Sequence, residues 1–181
     1  MVLDESGFML QPVVRRTWAP RGQTPILSEW DRHDRLSVIS AITVSPRRRR
    51  WGWVFDILNH NIDTDDFETF VKHVLRRVRR PIVLVLDRYS VHRSGVARPL
   101  RRFPKRVQVE WLPAYAPELN PVEQVWNRAK HVDRANQAPD DLLSLGRAAA
   151  ASIRRTRTSC ERSSNIASSH CREFNGLCKD Q

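Results

Sequence analysis

Cysteine is sparse in this 181-residue chain, and the three that occur, Cys160, Cys171 and Cys178, all fall near the C-terminus. None of their spacings is the Cys-x-x-Cys pattern of a zinc site or redox pair, and the usage fits a reducing cytosol. Long apolar runs are missing as well. No stretch approaches the roughly 20 residues needed to span a bilayer, and no basic segment followed by an apolar one opens the chain as a secretion signal would. No internal repeat is present, and the length suits one well-buried domain rather than two with a linker. Positive charge is what the chain has in excess: 31 Lys and Arg stand against 20 Asp and Glu, a formal net charge of +11. With Arg in runs, such a surplus attracts polyanions, so nucleic acid is the expected partner class and a membrane is not.

Hydrophobic periodicity divides the chain into strands and then helices. Met1 to Leu3 are apolar and β-compatible, Ser6-Gly7 reads as a turn leading into Phe8 to Trp18, and Pro20 to Pro25 breaks the pattern. Alternation at Leu36, Val38, Ser40, Ile42 and Val44 predicts a strand, and Trp51 to Ile57 another, so the first third is expected to form an antiparallel meander. Phe67, Phe70, Val71, Val74, Leu75 and Val78 then make one helical stripe, with acids at its start, Arg at its end and Pro81 as its stop. Ile82 to Leu86 is an unbroken aliphatic run, expected to be a strand buried on both faces, and it ends in Asp87. A basic helix or loop from Ser94 to Arg106 precedes a short strand at Val107 to Leu112. Asn120-Pro121 opens a helix, Pro139-Asp140-Asp141 opens a last one, and the pattern dissolves after about Thr158. This order predicts a mixed α/β sheet with helices on its faces over residues 1–157 and a poorly ordered tail over 158–181. Trp18, Trp51, Trp53, Trp111 and Trp126 are expected to fill the core.

Three carboxylates sit where such a sheet places functional groups: Asp4 beside the first strand residues, Asp87 at the end of the aliphatic strand, and Glu123 in the first turn of a helix. Acids at strand ends of an open sheet converge on one rim, and hard divalent cations prefer their oxygens. Each also has a plainer reading. Asp4 could be an exposed strand-end acid, with Glu5 pointing to the opposite face. Asp87 could begin a turn. Glu123 stands three residues after Asn120, where it could close a capping box.

Four ordered strings bear on the choice. They are Leu3-Asp4-Glu5-Ser6-Gly7-Phe8; Thr17-Trp18-Ala19-Pro20-Arg21-Gly22-Gln23-Thr24-Pro25; Val85-Leu86-Asp87 followed by Val91-His92-Arg93-Ser94; and Leu112-Pro113-Ala114-Tyr115-Ala116-Pro117-Glu118-Leu119-Asn120-Pro121-Val122-Glu123-Gln124-Val125-Trp126. Together, in order through about Asp141, they resemble the mariner-like insertion-sequence transposases, DDE superfamily endonucleases. The resemblance implies an RNase H-like fold, with antiparallel N-terminal strands followed by parallel ones. It also implies that Asp4, Asp87 and Glu123 are catalytic acids ligating two Mg²⁺ ions, for which Mn²⁺ may substitute. The activity implied is metal-dependent cleavage and strand transfer in DNA transposition, in a bacterial cytosol or nucleoid. The partners implied are the DNA of element ends and target; a homo-oligomer assembled on DNA and a separate upstream-frame product carrying a helix-turn-helix are compatible with it. Two features depart from the family: Arg88 stands where Asn commonly follows the second acid, and the helix-turn-helix modules that usually precede the catalytic domain are not in this sequence. Two other readings therefore stand beside transposition, an inactive remnant that binds DNA non-specifically and an RNase H-like nuclease.

The acids are expected to meet within bridging reach of shared cations, with Glu5 and Glu118 standing away from them. Arg47, Arg48, Arg49, Arg50, His92, Arg93, Arg101 and Arg102 are the candidate DNA contacts, with Arg98, Lys105 and Arg106 in the same basic group. A solvated face is the plainer reading of these charges, and a structural hydrogen bond that of His92.

Overall fold

The structure is a computed structural model that describes residues 1–26, 34–45, 50–114 and 116–165, excluding the side chains of Arg50 and of residues 157–165. It is built on a five-stranded mixed sheet: β1 (Val2–Met9), β2 (Arg35–Ser45), β3 (Arg50–Leu58), β4 (Ile82–Leu86) and β5 (Val107–Trp111), in the spatial order β3-β2-β1-β4-β5. The pairs β1·β2 and β2·β3 are antiparallel, while β4 is parallel to both β1 and β5. The expected meander followed by parallel strands is therefore present.

Helices cover both faces. On one, α1 (Thr64–Arg77) lays Phe67, Phe70, Val71, Val74 and Leu75 on Leu3, Ile39, Leu84 and Leu86. Its start is fixed by Asp63, whose carboxylate accepts from Asp65 and Asp66 N–H while Asp66 accepts from Asp63 N–H, a closed capping box. The short helices α2 (Ser90–Gly95) and α3 (Ala97–Arg102) flank it. On the other face, α4 (Pro121–Arg128) and α5 (Leu142–Asn165) bury Val122, Val125, Trp126, Leu145, Ala149 and Ile153 against Phe8, Leu36, Val38 and Ile42. A π-helical turn, Ala129–Asp133, extends α4.

Several expectations change. Ser6-Gly7 is not a turn: β1 runs straight through it, with Gly7 paired to Ser37. β2 is buried from Leu36 to Ile42 on both faces, because it lies inside the sheet under helices on either side. The reverse holds for β4, where Val83 is 43% exposed, since α4 and α5 lie over β1, β2 and β3 rather than over β4. Trp126 is core, but Trp51 and Trp53 are half-buried, Trp111 is exposed on the outermost strand, and Trp18 is fully exposed in a segment that has left the sheet. Helix α5 continues to Asn165, past the point where the apolar pattern fades. Among the described residues no helix is long and apolar enough to cross a membrane.

Candidate active site between β1 and the end of β4

Strand register brings the first two acids together. Val2 of β1 pairs with Val85 of the parallel neighbour β4, a register that directs Asp4 toward Asp87, and Asp87 lies close enough for its charge to act on Asp4. Alternation along β1 puts Asp4 on the face covered by α4 and Glu5 on the face covered by α1 and α2, as expected of neighbours in a strand. Glu123 is exposed in the first turn of α4. The capping-box reading of Glu123 does not hold, because Asn120 N–H donates to the Pro117 carbonyl instead; Asn120 caps the helix by accepting from Val122 N–H.

Asp4 is buried, and one of its oxygens, Oδ2, accepts from Trp126 Nε1 at 3.2 Å. Its pKa is pushed up to about 7, first by burial and then by the negative charges of Glu123 and Glu5, with Asp87 adding to them. Lys130, in the π-helical turn that extends α4, is a cation within reach of the Glu123 and Asp4 charges. Burial pulls its pKa down while Glu123 and Asp4 pull it up, and its ammonium lies 5.5 Å from the Phe8 ring centre. A groove of about 330 Å³ runs along this side of α4, lined by Glu118, Glu123, Asn127, Lys130 and His131 among others.

Asp87 is half-exposed. Its Oδ1 accepts from Tyr89 N–H at 3.0 Å and bonds His92 Nδ1 at 2.5 Å. It therefore begins a turn as well as facing the acids, so the plainer reading is true without excluding the other. The His92 hydrogen bond, followed by Tyr89 N–H, holds its carboxyl below the usual carboxylate range. The other ring nitrogen of His92 bonds Glu5 Oε2 at 2.7 Å. Burial lowers the His92 pKa, but the bonds to Asp87 and Glu5 outweigh it and raise the pKa to about 9.

The register, the shared influence on Asp4 and the groove gather the three acids at one end of the sheet. They are not yet in ligating contact: among the described residues, no group of three His, Cys, Asp or Glu side chains is close enough to hold a metal ion. The donor set nonetheless fits a hard divalent cation. It is all carboxylate oxygen, and at its centre is a buried acid whose charge is opposed by its neighbours, which a cation would relieve. Glu118 does not stand away, since it lines the groove with Glu123, and Glu5 is linked to Asp87 through one ring.

The basic residues divide. Arg93, Arg101 and Arg102 are exposed, with the Arg102 guanidinium 5.6 Å from the Phe103 ring centre. His92 is not a DNA contact: it is wholly buried with both nitrogens engaged. Arg106 donates to the Leu75 and Val78 carbonyls at the end of α1, and Arg98 pairs with Glu68 and Asp65, so both have structural work. Arg47, Arg48 and Arg49 lie outside the described residues, as does the side chain of Arg50. Sequence reasoning passed over Lys130 and assigned Trp126 to the core alone; their spacing of seven and three residues after Glu123, on one side of a helix, was the available signal.

Solved structures similar to this chain include Mos1 mariner transposase complexes. A pre-cleavage Mos1 transpososome matches with a TM-score of 0.60 at 13% identity, over 89% of this chain and 53% of that one. The Mos1 strand transfer complex matches with a TM-score of 0.59 at 14% identity, over 88% and 52%, and a Mos1 paired-end complex with Mn at 0.55 and 14%, over 87% and 52%. The fold is thus RNase H-like, and the chain spans about half the length of these transposases. No curated protein sequence matches it. The family model for the DDE superfamily endonucleases matches residues 1–145, and the chain belongs to that family.

Proposed function

We propose that this chain performs the phosphoryl-transfer chemistry of DNA transposition, with Asp4, Asp87 and Glu123 as catalytic acids. The observation that carries the reading is the parallel pairing of Val2 with Val85, which directs β1 and the end of β4, and with them Asp4 and Asp87, toward one another beside the α4 groove that holds Glu123. Family membership and the likeness to transposase complexes support it. Two Mg²⁺ ions, or Mn²⁺ in their place, would activate the attacking oxygen and neutralise the leaving one. This chain's residues would hold those cations through carboxylate oxygens, and Lys130 would face the phosphate from the groove. Water attacks a phosphodiester at the element's end, and the freed 3′-hydroxyl then attacks target DNA, without a covalent enzyme intermediate. Residues 1–157 serve as the catalytic domain and 158–181 as a tail, working in a bacterial cytosol or nucleoid. End recognition falls to a separate helix-turn-helix module, and the active form is an oligomer on paired DNA ends.

The test is nicking of duplex DNA by the purified chain in Mg²⁺ or Mn²⁺. Asp87→Asn keeps the shape of the side chain and removes the charge that holds a cation, so it should abolish nicking while leaving the fold intact. Undiminished cleavage by that variant, or cleavage in excess chelator, refutes the assignment.

A further inference from the structure

The two strand acids are each gripped by a buried ring N–H, from opposite faces of the sheet. From the α4 face, Trp126 Nε1 donates to Asp4 Oδ2 at 3.2 Å. Trp126 is 2% exposed and packs edge-on to Phe8 with ring centres 6.1 Å apart, so the indole has no freedom to turn away. From the α2 face, His92 joins Asp87 Oδ1 and Glu5 Oε2. Its ring lies 5.2 Å from that of Phe67 and 5.8 Å from that of Tyr89. Ionised carboxylates only accept hydrogen bonds, so a ring between two of them must donate from both nitrogens. Glu5 faces away from Asp4 and Glu123, and its Oε1 is buried without a partner; holding the far side of His92 is the role its position allows.

Each grip settles which oxygen is used. Asp4 gives up Oδ2 and Asp87 gives up Oδ1, and among the described residues the second oxygen of each receives no side-chain hydrogen bond; the Glu5 backbone N–H also acts on the Asp4 carboxyl. A carboxylate otherwise turns easily about its last torsion, which has broad minima. Small divalent cations demand near-ideal geometry and are sensitive to the partners that orient their ligands.

We propose that Trp126 and His92, the latter braced by Glu5, are positioning residues that hold one oxygen of Asp4 and of Asp87 and so aim the second oxygen of each at a shared divalent cation. The proposal rests on the reading of Asp4 and Asp87 as cation ligands, and the experiment separates the two. Mn²⁺ is titrated into the full chain and followed by electron paramagnetic resonance, with the metal-free melting temperature measured alongside. Trp126→Phe keeps the ring and removes the N–H, Glu5→Leu removes the brace, and Glu5→Gln keeps an acceptor for His92. Trp126→Phe and Glu5→Leu should each weaken Mn²⁺ binding by about tenfold or more, with Glu5→Gln recovering most of the loss. A merely structural role would lower the melting temperature and leave the affinity alone. Unchanged Mn²⁺ affinity in Trp126→Phe and Glu5→Leu, while Asp87→Asn loses binding, overturns the positioning role and leaves the cation reading standing. A parent chain that binds no Mn²⁺ overturns both. Should Trp126→Phe fail to fold, the contrast between Glu5→Leu and Glu5→Gln decides.

Discussion

A carboxyl group sealed beneath a helix and facing other acids resists ionisation, and Asp4 is such a group. With its pKa raised to about 7 from 3.8, the fold favours the protonated form. Its contribution to stability is complete below its ordinary range near pH 4 and is lost as pH rises through about 7. His92, raised from 6.5 to about 9, contributes stability that fades as pH rises above 6.5, but parent and variant share it, so it cancels in their difference. In chelator, Asp4→Asn, whose amide is neutral throughout, should therefore melt above the parent near pH 8, with the gap closing as pH falls and vanishing only below about pH 4. The difference has a ceiling of about 4 kcal/mol at about 1.4 kcal/mol per pKa unit, reduced by rearrangement of the neighbouring acids. Added Mg²⁺ should reverse the order, because only the parent offers the cation its buried charge. A melting difference that does not change with pH would mean that Asp4 is not under this electrostatic load. The position of Asp87 at the end of β4 was legible in the sequence, since an aliphatic run ending in Asp is a local pattern, whereas Asp4 lies inside β1, paired with Ser40, rather than at a strand end. The grips on them were not. Glu5 and His92 are 87 residues apart, and Asp4 and Trp126 are 122 apart, and no periodicity in either segment encodes such a meeting.

At the scale of elements, α2 is the part least able to stand by itself. It has six residues and no side-chain cap, far below the length at which a helix is stable alone, yet it carries His92. Packing on α1 holds it: a Cβ added to Gly95 would lie 2.6 Å from Phe67 Cδ1, and Phe67 is fully buried. Gly95→Ala must therefore push α2 off α1 or turn the Phe67 ring within a full core. The expected loss is about 1–3 kcal/mol in urea unfolding, with His92 carried away from Asp87 and Mn²⁺ affinity falling with it. A variant as stable as the parent would show that α2 is not seated by this contact. The same elements show where sequence reading succeeds. Helix α1 announces itself by one apolar stripe between opposite charges and a proline, all within its own residues. Strand β2 was read correctly as a strand from the row of Leu36, Val38 and Ile42, but the second buried row, Ile39 and Ala41, is masked in the sequence by the polar Ser37 and Thr43 that flank it on the α1 face. What covers a strand is decided by elements far along the chain. The Ser6-Gly7 pair misleads for a related reason: turn residues set a turn only where no partner strand pairs them, and β2 pairs both.

For the whole molecule the dominant quantity is a net charge of +11, set around a site made of acids. The two are reconciled by geography. The acids are gathered at one end of the sheet, while Arg93, Arg101 and Arg102 are spread over exposed helices on the α1 side. A polyanion held by the exposed cations would bring its phosphates to carboxylates that repel them until cations intervene, so binding and cleavage should separate: DNA should bind in chelator, and only cutting should need metal. Binding should also be steeply salt-dependent, because each phosphate neutralised releases counterions and the logarithm of affinity falls with that of salt by about 0.9 per contact. Replacing Arg101 and Arg102 together with Glu should flatten that slope by about two contacts' worth. Sequence discrimination needs side chains set at base edges in a groove, and the exposed Arg93, Arg101 and Arg102 sit on six-residue helices packed against α1. A competition titration at several salt concentrations, with a terminal-repeat duplex from the DNA flanking this gene and a scrambled duplex of equal length, measures all three properties. Equal affinities with a steep slope are the expected outcome. A preference for the repeat approaching the roughly 1,000-fold of specific binders would place a recognition element within these residues and overturn the assignment of end recognition to a separate module.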